Sequence, residues 1–196
     1  YAIGLFQTGY IYGKTQHIDI REHGSGNAGT TNALRTLGKK AGALTLLGDC
    51  LKCVLAVLIA RLLFGTHQGT DLLALELYAG AGCILGHNFP FYLKFKGGKG
   101  IAASVGLLLA FDIRIFPICA VLFFATFFLT HYVSLSSLLA YLGFLISVVT
   151  FGQMGMLDCT QPVLWEVYGL SSGLTILSYW RHRQNIVRLM HGNENK

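Results

Sequence analysis

Charge is what this chain has least of. Only 12% of its 196 residues are Asp, Glu, Lys or Arg, whereas 53% are hydrophobic. A soluble domain carries about 25% charged residues because its surface must face water, so half that share means that much of this surface faces something else. Lipid is the simplest candidate. Acidic residues are the scarcer sign, 9 against 15 Lys and Arg, yet the basic excess does not read as a nucleic-acid footprint. The basic residues gather in the gaps between apolar runs, and no strand pattern interleaves them with aromatics. Cysteine occurs in an odd number, five, which argues against a framework that pairs them all. Cys50 and Cys53 have redox or zinc spacing, but they lie inside an apolar run with no second ligand pair, so they read as packing residues and no metal or cofactor is expected. No signal-peptide cleavage pattern is visible.

What is present is a series of apolar runs, at residues 1–13, 41–65, 72–93, 101–111, 115–130, 132–151 and 162–180. In lipid every backbone polar group must be satisfied within its own segment, and runs without period-two alternation suit helices rather than barrel strands. The expected fold is an all-α integral membrane protein of about seven helical segments, some short or partial, forming one membrane-embedded domain over residues 1–196. The first run reaches only ~20 Å at 1.5 Å per residue, short of a ~30 Å hydrocarbon core, so further residues are expected upstream.

Charge parity sets the orientation. Asp112, Arg114 and Pro117 interrupt the stretch 101–130, which is read as two helices because only then do all the basic loops fall on one face. That face carries Lys14, Arg21, Arg35, Lys39, Lys40, Lys94, Lys96, Lys99, Arg181, Arg183, Arg188 and Lys196, and the other carries Arg114 alone. The loops 66–71 and 152–161 hold no Lys or Arg, so the amino terminus is expected outside and the carboxyl terminus in the cytoplasm. Segment 101–111 is then too short to span. Either Gly97, Gly98 and residues past 111 extend it, or it is a buried partial helix.

Three polar segments on the inner face hold nearly all the unusual residues: 24–35 (GSGNAGTTNALR), 86–104 (GHNFPFYLKFKGGKGIAAS) and 181–194 (RHRQNIVRLMHGNE). Glycines let a backbone turn its N–H groups toward a ligand, hydroxyls add donors and Lys or Arg adds charge, so such segments resemble phosphate cradles at helix starts. Each has a plainer reading. The first is also a loop ending in a helix cap, the lysines of the second also suit snorkelling to an interface, and the third is also a solvated basic tail, although that leaves Asn185, three residues before Arg188, unexplained. Gly98-Lys99 does not complete a nucleotide-binding P-loop, because Leu93 stands where its first glycine belongs and Gly100 where Ser or Thr belongs. Asp49 and Lys52, three apart in an apolar run, read as an internal ion-pair brace in preference to part of the site. His87 near a helix end is as consistent with a hydrogen-bonding residue as with a base.

Taken together, GSGNAGTTN, GHNFPFYLKFKGGKG and the Arg-x-x-Asn-Ile-x-Arg-Leu run with Gly192 and Glu194 closely resemble the three motifs of the bacterial acyl-phosphate:glycerol-3-phosphate acyltransferase family, PlsY. The resemblance implies transfer of an acyl group from acyl phosphate to glycerol 3-phosphate in phospholipid synthesis, by a multi-pass protein of the bacterial inner membrane with its site on the cytoplasmic side. It implies Ser25, Arg35, Lys99 and Asn185 as the principal contacts to glycerol 3-phosphate. Asn27, Thr31, Asn32, His87, Lys96 and Arg188 complete the polar site, with Gly97 and Gly98 in the binding turn and the acyl chain in an apolar groove open to the bilayer. Acyl-CoA is not the implied donor: thioester-dependent acyltransferases commonly carry His-x4-Asp, and here Tyr92 lies five residues after His87 and Glu22 five after His17.

Two other classes fit less well. A transporter or anion channel would need an outward-facing counterpart to the basic segments, and none repeats. A phosphatidyl-alcohol transferase would need an acidic metal cluster. The charge census generates a topological expectation: cysteine labels near Lys40, Lys96 and Arg183 react from the cytoplasm and one at Gly69 only from outside. Labelling of position 183 from the side opposite to 96 would overturn the seven-segment count.

Overall fold

The computed structural model describes residues 1–67 and 71–195, and among these the regular structure is helical. Position 69 and the basic residue 196, both used in the topological reading, lie outside the described residues. The helices are α1 (Thr8–Thr15), α2 (Thr30–Leu37), α3 (Lys39–Phe64), α4 (Leu72–Asn88), α5 (Ile101–Phe111), α6 (Ile115–Thr130), α7 (Val133–Gln153), α8 (Gln161–Arg181) and α9 (Arg183–Met190), with single 3-10 turns at Ile3–Leu5, Ile20–Glu22 and Phe91–Leu93. Two of them, α3 and α7, are long and apolar enough to cross a membrane, and α5 and α6 are shorter apolar helices. The outward faces are apolar: Leu47, Leu51, Leu55 and Leu62 on α3 are all more than half exposed, an arrangement that water disfavours and lipid accepts.

The chain forms two compact units. The first comprises Tyr1–Thr70 and Leu75–Phe111. Its centre is α3, against which α1, α2, α5 and the Ile3–Leu5 turn pack. Close helix approach explains the small residues here. A Cβ at Gly106 of α5 would fall on the Cys50 carbonyl of α3, and one at Gly80 of α4 would fall on Leu107 of α5. Without a hydrophobic drive between helices in lipid, such backbone contact supplies much of the packing energy. The ion pair of Arg61 with Glu76 joins α3 to α4; Arg61 lay hidden inside an apolar run in the charge census.

The second unit comprises Asp71–Ala74 and Asp112–Lys196, in which α7 packs against α6 and α8. Ser136 and Ser137 of α7 are buried and return their hydroxyls to carbonyls four residues back, Tyr132 and Val133. Buried tyrosines reach across: Tyr168 Oη donates to Val149 O at 3.2 Å.

Two sequence expectations are resolved. Residues 101–130 form two helices, separated where Asp112 accepts hydrogen bonds from the Arg114 backbone and guanidinium. Helix α5 begins at Ile101 and ends at Phe111; neither Gly97 and Gly98 nor residues past 111 extend it, so at about 16 Å it is a partial helix. One expectation needs correction. Residues 1–13 are not a single helical segment but a 3-10 turn and the start of α1, broken at Phe6 and Gln7. The break follows from Gln7, which is fully buried and donates its side-chain amide to Gly4 O and His87 O, bonds that an uninterrupted helix would not place there.

The α3–α5 contact gives a stability test. Gly106→Ala should lower stability by about 1–3 kcal/mol through overpacking against the Cys50 carbonyl, whereas Gly169→Ala and Gly173→Ala on α8, where a Cβ meets nothing, should be neutral or better. Thermal unfolding in detergent measures all three.

Candidate active site

In the first unit the polar segments expected from the sequence form two clusters. The first is the turn 24–29 ahead of α2. Gly24 and Gly26 take left-handed backbone angles, φ 57° and 68°, which glycine adopts without steric cost. Asn32 organises the turn from inside. It is 1% exposed; its amide nitrogen has three carbonyls within reach of its two hydrogens, Ile20 O at 2.7 Å, Asn27 O at 2.9 Å and His23 O at 3.1 Å, and its Oδ1 accepts from Ser25 N at 2.8 Å. An amide so fully used shapes the loop, and losing it would strand several backbone groups at ~1–3 kcal/mol for each that stays buried. Asn27 Oδ1 accepts from Gly29 N and so turns the chain into α2. Ser25 and Arg35 are exposed, Thr31 is half-buried, and the Thr30 hydroxyl is buried with no hydrogen-bond partner.

The second cluster is the turn 94–100 between the Phe91–Leu93 turn and α5. Here the amides of Gly97 and Gly98 do not point outward as a cradle. Gly97 N donates to Asn88 O at 3.2 Å and Gly98 N to His87 O at 3.1 Å, satisfying carbonyls at the end of α4. The sequence reading puts both glycines in the binding turn; in this structure their amides are turned to the end of α4. Their lack of a side chain still matters, because a Cβ at Gly98 would strike His87 Nε2 and one at Gly97 the His87 carbonyl. Gly100, at φ 85°, then turns the chain into α5. Lys96 is exposed and Lys99 half-buried beside that helix start.

His87 sits beneath this turn, only 2% exposed. Its Nδ1 is 2.9 Å from Lys52 Nζ, which also lies 2.7 Å from Asp49 Oδ1 and 2.5 Å from Phe6 O. Thr8 donates to the same Asp49 oxygen at 3.1 Å. The Asp49–Lys52 ion pair thus forms as the spacing predicts, but nothing in the spacing signals that His87 joins it from 35 residues away.

In the second unit, α9 ends at a turn where Gly192 takes φ 69° and Asn193 N returns to Arg188 O. The chain doubles back and lays Glu194 over the helix. Glu194 accepts from Asn185 Nδ2 at 2.6 Å, Arg188 Nε at 2.8 Å and Ser134 Oγ at 3.1 Å. Spacing on one helical face had grouped Asn185 with Arg188; that a carboxylate joins them was missed, although Glu194 stands in the same motif. Buried His182, with Nδ1 2.8 Å from Ser178 O, was also passed over.

With this geometry in place, the chain can be compared with known proteins. Residues 1–192 match the family model described as glycerol-3-phosphate acyltransferase. The chain belongs to the glycerol-3-phosphate acyltransferase family. It is 41% identical to the glycerol-3-phosphate acyltransferase of Alkaliphilus metalliredigens (strain QYMF), covering 100% of this chain and 91% of that protein. It is 42% identical to that of Bacillus velezensis (strain DSM 23117 / BGSC 10A6 / LMG 26770 / FZB42), covering 100% and 93%. Its fold is similar to the crystal structure of PlsY (YgiH), an integral membrane glycerol 3-phosphate acyltransferase, in the glycerol 3-phosphate form, with TM-score 0.86, 32% identity and coverage of 100% and 90%. The lysophosphatidic acid form of PlsY gives TM-score 0.82 at 31% identity, covering 99% and 89%. This family member is therefore an acyltransferase of lipid synthesis embedded in a membrane.

The Glu194 clamp generates a pH prediction. Burial works to raise the Glu194 pKa, but hydrogen bonds from Asn185 and Arg188, with the Arg188 charge, outweigh it and hold the carboxyl below its ordinary value of 4.5. A depressed folded-state pKa contributes stability that is full above the ordinary value and is lost as pH falls through the folded one. Protection of α9 amides in hydrogen exchange should therefore weaken as pH falls below that ordinary value, and Glu194→Gln should remove that dependence while weakening the clamp at neutral pH.

Proposed function

We propose that this acyltransferase takes its acyl group from an acyl phosphate and delivers it to the 1-hydroxyl of glycerol 3-phosphate. The products are 1-acylglycerol 3-phosphate and inorganic phosphate. On this reading residues 1–196 are one acyltransferase domain in the bacterial inner membrane, with about seven helical segments, the amino terminus outside and the catalytic segments 24–35, 86–104 and 181–194 on the cytoplasmic side. The observation that carries the proposal is the set of three polar segments matching the family's motifs in order, in a chain similar to PlsY structures of the glycerol 3-phosphate and lysophosphatidic acid forms. The absence of the His-x4-Asp pair of thioester-dependent enzymes supports the choice of donor.

The chemistry suits these residue types. Acyl phosphate is a mixed anhydride with a good leaving group, so anion binding and alignment contribute more than an enzymic nucleophile. The 1-hydroxyl oxygen bonds to the acyl carbon, the bond from that carbon to the phosphate oxygen breaks, and the donor's phosphate takes the hydroxyl proton. Arg35 and Lys99, with Ser25, Lys96 and Thr31, hold the negative charge, and Asn27 and Asn32 shape the turn that presents Ser25. Asn185 and Arg188 are assigned to glycerol 3-phosphate on the motif resemblance. An apolar groove of about 620 Å³ lined by Ala2, Ile3, Phe6, Leu51, Leu55 and Leu58, with Lys52 its one charged lining residue, has the size and character of a ligand site and is the place proposed for the acyl chain.

Purified protein should release phosphate and acylate glycerol 3-phosphate from palmitoyl phosphate but not from palmitoyl-CoA; comparable rates with both would remove the acyl-phosphate assignment. Lys99→Ala should cost on the order of 2–5 kcal/mol of transition-state binding, as for stripping one member of a desolvated charge pair, with folding retained.

A further inference from the structure

The surroundings of Lys52 determine how His87 carries its proton. A lysine ammonium has three hydrogens and accepts nothing. Lys52 Nζ has three neighbours within hydrogen-bond distance: Phe6 O, Asp49 Oδ1 and His87 Nδ1. The carbonyl and the carboxylate can only accept, so the third hydrogen points at Nδ1, which must offer its lone pair. The reverse assignment, a neutral amine accepting from Nδ1–H, would leave the buried Asp49 carboxylate without a cation at the 2.7 Å contact.

We infer that Asp49 and Lys52 are positioning residues that lock His87 as the Nε2–H tautomer, making it a hydrogen-bond donor toward the 97–99 turn rather than a base. The arrangement inverts a catalytic triad, in which a carboxylate accepts from Nδ1–H and leaves Nε2 basic. Asp49 Oδ1 is 3.7 Å from Nδ1, beyond hydrogen-bond reach, and both atoms instead contact the ammonium. Protonating the imidazole would place a second cation in contact with the first. Nε2 lies against Gly98, so the locked donor is presented to the turn that carries Lys99. Asp49 and Lys52 of α3 and Gly98 of the turn lie against the imidazole, with Phe6 O against Lys52 Nζ and Thr8 against Asp49.

The role of the donor in catalysis rests on the acyltransferase mechanism proposed above, but the tautomer does not, and it is read without turnover. The whole protein, labelled with ¹⁵N-histidine in detergent, gives the readout, with the His87 resonances identified by their loss in His87→Gln. An unprotonated Nδ1 and a protonated Nε2 at pH 7 are expected; an Nδ1–H tautomer or a doubly protonated ring at pH 7 overturns the inference. Lys52→Met frees Nδ1 to donate to Asp49, whose Oδ2 is buried without a partner, so the Nε2–H-only signature should be lost. A folded Lys52→Met protein that keeps it would show that Lys52 is not the lock. The wild-type spectrum decides the tautomer with no substitution at all.

Discussion

An ammonium inside an apolar helix must find acceptors or lose its charge, and much of the first unit is arranged around that demand. Lys52 is 6% exposed on a helix whose outer face is leucine. Leaving it unpaired would cost several kcal/mol, since transfer of an isolated charge from water is the most expensive burial a protein makes. One acceptor comes from the same helix, one turn earlier. The second is a backbone carbonyl that becomes available only because the amino-terminal segment breaks its helix at Phe6, and the third is an imidazole at the end of α4. A single cation therefore ties three separate stretches of chain together and fixes where α4 ends relative to α3.

That position in turn sets the glycine turn. The last carbonyls of α4 lack helical partners, as at every helix end, and the amides of Gly97 and Gly98 supply them. The backbone must lie directly on His87 to do so, which leaves no room for a Cβ at either residue. The glycines thus reflect contact with the histidine, and Lys99 is delivered to the start of α5 as a result. The turn 24–29 and the end of α9 follow the same rule: buried Asn32 and Glu194, whose side chain is covered, hold polar loops in shape through their hydrogen bonds. Exposed Arg35 and Lys96 and half-buried Lys99 lie at the margin of these scaffolds, where the proposed function puts anion binding.

The sequence by itself determined whatever depends on local period and composition. Scarce charge and long apolar runs imply helices in lipid, and the runs from residue 41 onward correspond to α3 to α8. The interruption at Asp112 and Arg114 divides α5 from α6, and a spacing of three places Lys52 beside Asp49 because helix geometry alone guarantees it. The three polar segments and their resemblance to one family were also legible, since motif order and residue type survive without coordinates. Tertiary structure alone decided which partners came from afar. The break at Gln7, the completion of the brace by His87, the turning inward of the Gly97 and Gly98 amides and the capture of Asn185 and Arg188 by Glu194 each depend on a buried polar group finding an acceptor or donor. Which group it finds is set by how the helices pack, and no periodicity in the sequence encodes that.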